Sequence, residues 1–275
     1  MINLTIPLRD IDVRTMYSEC ADDLSNKTAL GYLEKVVESS NAYEKYVPRD
    51  IEHFPDVKIN NDDEKEILKV YKDKFAKQNS IGKKYYEAIM MNARGRCPIC
   101  GGAKLKNLDH FLPQSIYPLL CVTPANLIPT CRDCNMDKKT YFSKNYYFLP
   151  LNPYFDRYDD VWLACCITYK ADKSYEIMFY NGYDKTLDEK LWNKYETHLR
   201  VFDLNATFSS KACEEMEDCK GLYKKLLERC GREEVKESLT ERRRSCEEID
   251  RNSWRAALYR ELENQVDEYC EWLRL

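Results

Sequence analysis

Two Cys-x-x-C pairs, Cys97/Cys100 and Cys131/Cys134, stand about thirty residues apart in the chain. Two such pairs at that separation match the ligand spacing of a tetrahedral four-thiolate zinc site, and they constrain the fold more than any other feature. A Cys-x-x-C turn sets two sulfurs on one side of a tight bend, and Gly101-Gly102 after the first pair permits the chain to fold back sharply. Four protein ligands close the coordination sphere, so the expected Zn²⁺ is structural rather than catalytic. A redox dithiol does not explain two matched pairs. The chain has 13 cysteines, an odd number that cannot all pair internally. Under reducing conditions clustered thiols more often bind metal than form disulfides. The other nine (Cys20, Cys121, Cys165, Cys166, Cys213, Cys219, Cys230, Cys246 and Cys270) are scattered and read as small buried hydrophobes.

The 275 residues suffice for one elaborated domain or two small ones, and 21 Tyr, 9 Phe and 4 Trp supply core material that a disordered chain lacks. No apolar run approaches the roughly 18–20 residues of a spanning helix, so no membrane partner is expected. The first ten residues, MINLTIPLRD, carry charges where a signal peptide has its apolar stretch, which leads us to expect a soluble, unprocessed, cytoplasmic chain.

Periodicity divides the chain into three. Residues 1–93 read as an N-terminal helical region: a short strand over Leu4–Leu8, a helix from Thr28 to about Tyr46 capped by Ser25 or Asn26, one opened by Asp62 and Asp63 and buried through Ile67, Val70, Tyr71 and Phe75, and one from Ile81 to about Asn92. Residues 94–145 lose helical periodicity, gain both cysteine pairs and are punctuated by five prolines. Here Lys104–Asp109 and Ala125–Thr130 read as strands, and Asp133 to about Phe142 as a helix. Residues 146–275 read as a hairpin of Val161–Tyr169 and Tyr175–Tyr180, followed by helices whose apolar stripes include Cys213 to Cys230 and Trp254 to Leu273, the latter capped by Ser253. The last stripe suits a core or a homo-oligomer surface equally well. The expected class is α+β, mainly helical, with a small zinc-bearing insert at the centre.

Between and beside the cysteine pairs the chain reads Leu108-Asp109-His110-Phe111-Leu112-Pro113, then Asn126-Leu127-Ile128-Pro129, then Cys131-Arg132-Asp133-Cys134-Asn135 and Lys138. In order, spacing and flanking residues this stretch of about fifty residues resembles the zinc-containing HNH endonucleases of the ββα-metal fold. The resemblance implies hydrolysis of nucleic-acid phosphodiesters, most naturally DNA, with RNA left open. His110 would be the general base, a task suited to a group whose ordinary pKa lies near physiological pH. Asp109 would be a ligand of a divalent cation that offsets charge on the phosphate, and Asn126 would hold the base in orientation. The chain departs from the commonest pattern at its last letter, where Asn135 replaces the second metal-binding histidine, as in the H-N-N variant. An amide oxygen suits hard Mg²⁺ or Mn²⁺, and loss of the imidazole should disfavour softer ions. Small HNH proteins with helical flanks resemble the nuclease members of bacterial anti-phage systems, in which an ATPase partner is encoded nearby.

Charge agrees with a phosphate partner. Residues 94–145 hold eight Lys and Arg against three Asp, a net +5, which leaves −9 for the rest of a chain whose total is −4. Lys138 and Lys139 on the expected helix, then Lys104 and Lys106, are the candidate nucleic-acid contacts. A zinc-knuckle module that binds nucleic acid or protein without cleaving is the competing reading. His53 lies in a loop-like context, His198 reads as a packed or solvated helix residue, and Arg242-Arg243-Arg244 sit among glutamates as a solvated face.

Overall fold

The computed structural model describes residues 2–275, a mainly helical α+β fold with two small antiparallel hairpins and a four-cysteine cluster. The chain forms two compact units, Ile2–Arg157 and Tyr158–Leu275. No helix among the described residues is long and apolar enough to cross a membrane.

In the first unit, four helices precede the cysteine pairs: α1 (Val13–Asp22), α2 (Leu33–Tyr46), α3 (Asn61–Lys69) and α4 (Lys83–Asn92). Asn60 starts α3 by accepting the Asp63 N–H at 2.9 Å, which satisfies one of the donors a helix start leaves open. The helix expected from Thr28 begins as a 3-10 turn over Ala29–Tyr32, and the one expected through Phe75 loosens into a π-helical turn over Val70–Phe75. Leu4–Leu8 forms no strand: Leu4 donates its N–H to the Pro153 carbonyl at 2.8 Å, and Leu8 takes a left-handed φ of 56°. Then come β1 (Asn107–His110), β2 (Leu127–Thr130) and α5 (Arg132–Lys138). β1 and β2 pair antiparallel, with Asp109 opposite Ile128 and His110 opposite Leu127. β1 is shorter than expected at its start, where Lys104 makes only an isolated bridge with Arg96. α5 stops at Lys138 rather than running to Phe142, because Lys139 turns left-handed at φ 50°.

These helices and the β1–β2 hairpin share one core. Met16, Tyr17, Val36, Ile67, Val70, Phe75 and Ile89 are buried together with Leu108 of β1 and Leu127 of β2. Burying such side chains is worth about 1.5–3 kcal/mol each, so the N-terminal helices are the floor on which the hairpin is built.

The second unit contains β3 (Leu163–Tyr169) paired antiparallel with β4 (Tyr175–Asn181), then α6 (Glu189–Val201), α7 (Leu204–Cys230), α8 (Arg232–Ile249), α9 (Trp254–Asn264) and α10 (Val266–Arg274). Alternation along the hairpin buries Leu163, Cys165, Ile167, Ile177 and Phe179. Ser253 caps α9 by accepting the Ala256 N–H at 3.1 Å. The apolar stripe runs to Leu273 as expected, with Trp254, Leu258, Leu262, Val266, Tyr269 and Leu273 all buried, but the helix that carries it breaks at Gln265 into α9 and α10. His198 is buried against Trp162 and Phe202.

Candidate active site

The cysteine pairs meet. Cys97, Cys100, Cys131 and Cys134 are all buried, and their sulfurs lie within 4.8 Å of one another. The Cys100 and Cys131 sulfurs are 3.9 Å apart. That is far beyond a disulfide bond and close to the roughly 3.8 Å edge of a tetrahedron with Zn–S bonds of about 2.3 Å. The Cys131 sulfur accepts the Cys134 N–H at 3.4 Å, so the second pair forms the cap of α5. Hydrogen bonds among the four sulfurs push the Cys100 thiol down and those of Cys97 and Cys134 up, the mark of thiols close enough to share protons. The donor set fits a structural Zn²⁺ held entirely by protein.

From the other end of α5 a different site opens. β1 ends at His110, and there Asp109 and His110 both line a cleft of about 620 Å³ together with Tyr71, Tyr86, Gln114, Asn135 and Lys139. Adjacent strand residues normally face opposite ways. The strand's end allows both onto one cleft.

The imidazole is held on several sides. His110 Nε2 lies 2.9 Å from the Cys121 carbonyl. A carbonyl can only accept, so Nε2 carries the proton and Nδ1 keeps its lone pair. The Tyr71 ring meets the imidazole edge-on at 4.5 Å between centroids, and its hydroxyl donates to the Leu108 carbonyl at 3.2 Å. Burial pushes His110 down to about 4, the bond to the Cys121 carbonyl opposing and the Lys138 ammonium adding to that shift. The ring is therefore neutral at physiological pH.

Asn126 is fully buried and sews the intervening loop together. Its Oδ1 accepts the Leu112 N–H at 2.8 Å, and its Nδ2 donates to the Leu112 carbonyl at 3.1 Å and the Leu120 carbonyl at 3.5 Å. Leu112 follows His110 by two residues and Leu120 immediately precedes Cys121. One amide thus fixes both the strand end and the carbonyl that holds the imidazole.

Asp109 is buried. Desolvation pushes its carboxyl up, and the Lys138 ammonium, 3.0 Å from Oδ2, pulls it back. Lys138 also donates to the His110 carbonyl at 2.7 Å, and its side chain is 1% exposed. Lys138 is therefore not the surface residue expected from the sequence: at the last position of α5 it turns inward onto the end of β1. Lys104, Lys106 and Lys139 are exposed, and Lys139 lines the cleft. Among the described residues, the only other gathering of three acidic, histidine or cysteine donors is the exposed set Asp50, Glu52 and His53. None forms around Asp109.

Three contributors to this site escape a reading of the sequence. Tyr71 falls on the apolar stripe of a helix, and the π-helical turn over Val70–Phe75 that carries it has no clear sequence signal. Such turns cluster at functional sites. The Cys121 carbonyl is a backbone group and leaves no trace in composition. Lys138 is visible in the sequence, but its direction is not.

No known family profile matches the chain, and no solved structure does. Two curated relatives match over part of their length. The chain is 37% identical over 93 residues to protein ea31 of Escherichia phage lambda, covering 33% of this chain and 31% of that protein. It is 37% identical over 73 residues to the Septu protein PtuB of Bacillus thuringiensis, covering 24% of this chain and 28% of that protein. The chain thus spans under a third of either relative, and it is a distant homologue of both with a zinc-type cysteine cluster of its own.

Proposed function

We propose that this chain is a metal-dependent endonuclease of the HNH type in its H-N-N form, hydrolysing nucleic-acid phosphodiesters, with β1, β2 and α5 as its ββα unit. The observation that carries the proposal is the placement of His110: its Nε2 lies 2.9 Å from the Cys121 carbonyl, at the wall of an open cleft that Asp109 also lines. The tautomer set by that contact has its basic lone pair on Nδ1, the atom that would take a proton from water as the water attacks phosphorus.

Asp109 and Asn135 would hold a Mg²⁺ or Mn²⁺ ion. The fit rests on chemistry: one buried carboxyl group whose desolvation Lys138 only partly offsets, an amide side chain on the same cleft, and room for the several waters such ions retain. When bound, the ion supplies Lewis-acid stabilisation of charge on the phosphate oxygens. The chain's own residues do the rest. Asn126 and the Cys121 carbonyl keep the base oriented, and Tyr71 restricts the ring. The exposed Lys139 at the cleft, with Lys104 and Lys106, would meet the phosphate backbone. A single such site cuts one strand, so a double-strand break needs a second copy or a second encounter. The biological setting we favour is anti-phage defence beside an ATPase partner, which rests on the resemblance of the motif.

Incubating the purified protein with duplex DNA, single-stranded DNA and RNA, each with Mg²⁺, Mn²⁺ or chelator, tests the proposal. Cation-dependent cleavage of at least one substrate is expected. Tight binding without cleavage under every condition would replace the enzyme with the non-catalytic zinc-knuckle reading.

A further inference from the structure

We propose that Lys138 is a positioning residue that locks the Asp109–His110 strand end in its working geometry, an inference that rests on the nuclease reading above. Its ammonium is buried at 1% side-chain exposure and has two acceptors on consecutive residues, the His110 carbonyl at 2.7 Å and Asp109 Oδ2 at 3.0 Å. A lysine that only filled this space would bury a charge at a cost that leucine or methionine avoids. The charge is placed where two groups of the candidate site, and no phosphate, can meet it. Exposed Lys139, one residue on, illustrates the alternative.

The grip is made from a fixed base. α5 is seven residues long, about 10 Å, and its first turn contains Cys134 and is capped by Cys131 of the thiol cluster. Lys138 stands one helical turn beyond Cys134, so the strand end is tied to the cysteine cluster through a single short helix. On its far side the imidazole is held by the Cys121 carbonyl and by Tyr71. The Lys138 bond to the peptide oxygen of His110 completes the restraint by fixing the backbone from which the ring projects.

The chain has 3 histidines, so labelling histidine with ¹⁵N gives three ring systems, and the one lost in His110→Ala is assigned. In the parent, the His110 Nε2–H proton should exchange slowly with solvent. Lys138→Met, a neutral side chain of similar length, should make that proton exchange freely and lower kcat about 100-fold, with KM for nucleic acid within about twofold because no phosphate contact is removed. Lys138→Arg should recover part of both. Zinc content, measured on each variant, should match the parent. If Lys138→Met keeps both the slow proton and parental kcat, the lysine only fills space and the proposal fails. If kcat is unchanged while KM and salt dependence shift, Lys138 is a phosphate contact and the proposal also fails. Should Lys138→Met not fold, Lys138→Gln is read in the same way. The parent offers a check of its own: its Lys138 ammonium protons must exchange slowly, and free exchange overturns the proposal whatever the variants do. A parent that cleaves nothing, yet whose imidazole proton depends on a cation at position 138, would remove the nuclease reading and leave the positioning role standing.

Discussion

The two ends of α5 carry sites of opposite character. At its start four buried thiols gather with nothing else admitted, a donor set that satisfies a tetrahedral ion completely. At its end Lys138 holds the end of β1, where one carboxyl group and one imidazole, joined by the Asn135 amide from the middle of the helix, face a cleft of about 620 Å³. The closed site has no position left for a substrate and so has structural work to do. The open site is under-liganded, and its fixed groups point to chemistry. What separates them is donor count and access to solvent, and one short helix of seven residues joins them.

The contrast is broken most severely at the closed end. Cys131→Ser, or stripping the metal, should destabilise Ile2–Arg157 by several kcal/mol, since metal-binding free energy in such sites is folding free energy. Thermal melts with and without added Zn²⁺ measure it, and cleavage should vanish together with structure. If the apo protein melts as the holo protein does, the cluster is not structural. Asn126→Ala tests the link between the two ends. It removes three hydrogen bonds in a fully buried setting and leaves the Leu112 N–H and carbonyl unmet, while the Leu120 carbonyl keeps the Thr123 N–H at 3.2 Å. The expected cost is about 2 kcal/mol, from roughly 1 kcal/mol or more for each of the two unmet groups, together with reduced cleavage and unchanged zinc content. Denaturant unfolding reads the first effect.

At the open end, Asn135→Ala should raise the Mg²⁺ or Mn²⁺ concentration needed for half-maximal cleavage by about tenfold, roughly 1.4 kcal/mol of lost binding. Asn135→His should improve use of softer ions relative to Mg²⁺. Equal metal profiles for all three proteins would remove Asn135 from the ligand set. The smallest effects are expected on the surface. Lys104→Ala and Lys106→Ala should each weaken nucleic-acid binding and reduce its salt slope by about one, with kcat unchanged. A salt titration of binding decides this.

Much of the closed site is legible in the sequence, because ligand spacing is written along the chain and needs no knowledge of tertiary packing. Cys97, Cys100, Cys131 and Cys134 can be grouped from their intervals alone. The β3–β4 hairpin and the Ser253 cap are legible for a similar reason, since both rest on local periodicity or a local hydrogen bond. The open site is only half legible. Asp109, His110, Asn126 and Asn135 stand out by motif, whereas what orients them comes from elsewhere. Tyr71 reaches His110 across a core packed from four helices, and the Cys121 carbonyl is presented by a loop whose shape Asn126 sets. Lys138 and Lys139 are chemically identical in the sequence. Which of them turns inward is decided by where α5 ends, and the left-handed Lys139 that ends it carries no sequence mark. Leu4–Leu8 misleads because a short apolar alternation fits an extended loop as well as a strand.

The central claim is that the open end of α5 hydrolyses phosphodiesters through His110 while the closed end only holds the scaffold. Comparing the parent with His110→Ala in a plasmid-nicking assay with Mn²⁺ or Mg²⁺, with zinc content determined on the same samples, tests it most directly. The account predicts cation-dependent nicking by the parent, a loss of at least about 100-fold in the variant, and equal zinc in both. Nicking by His110→Ala at the parental rate, with zinc retained, would contradict it.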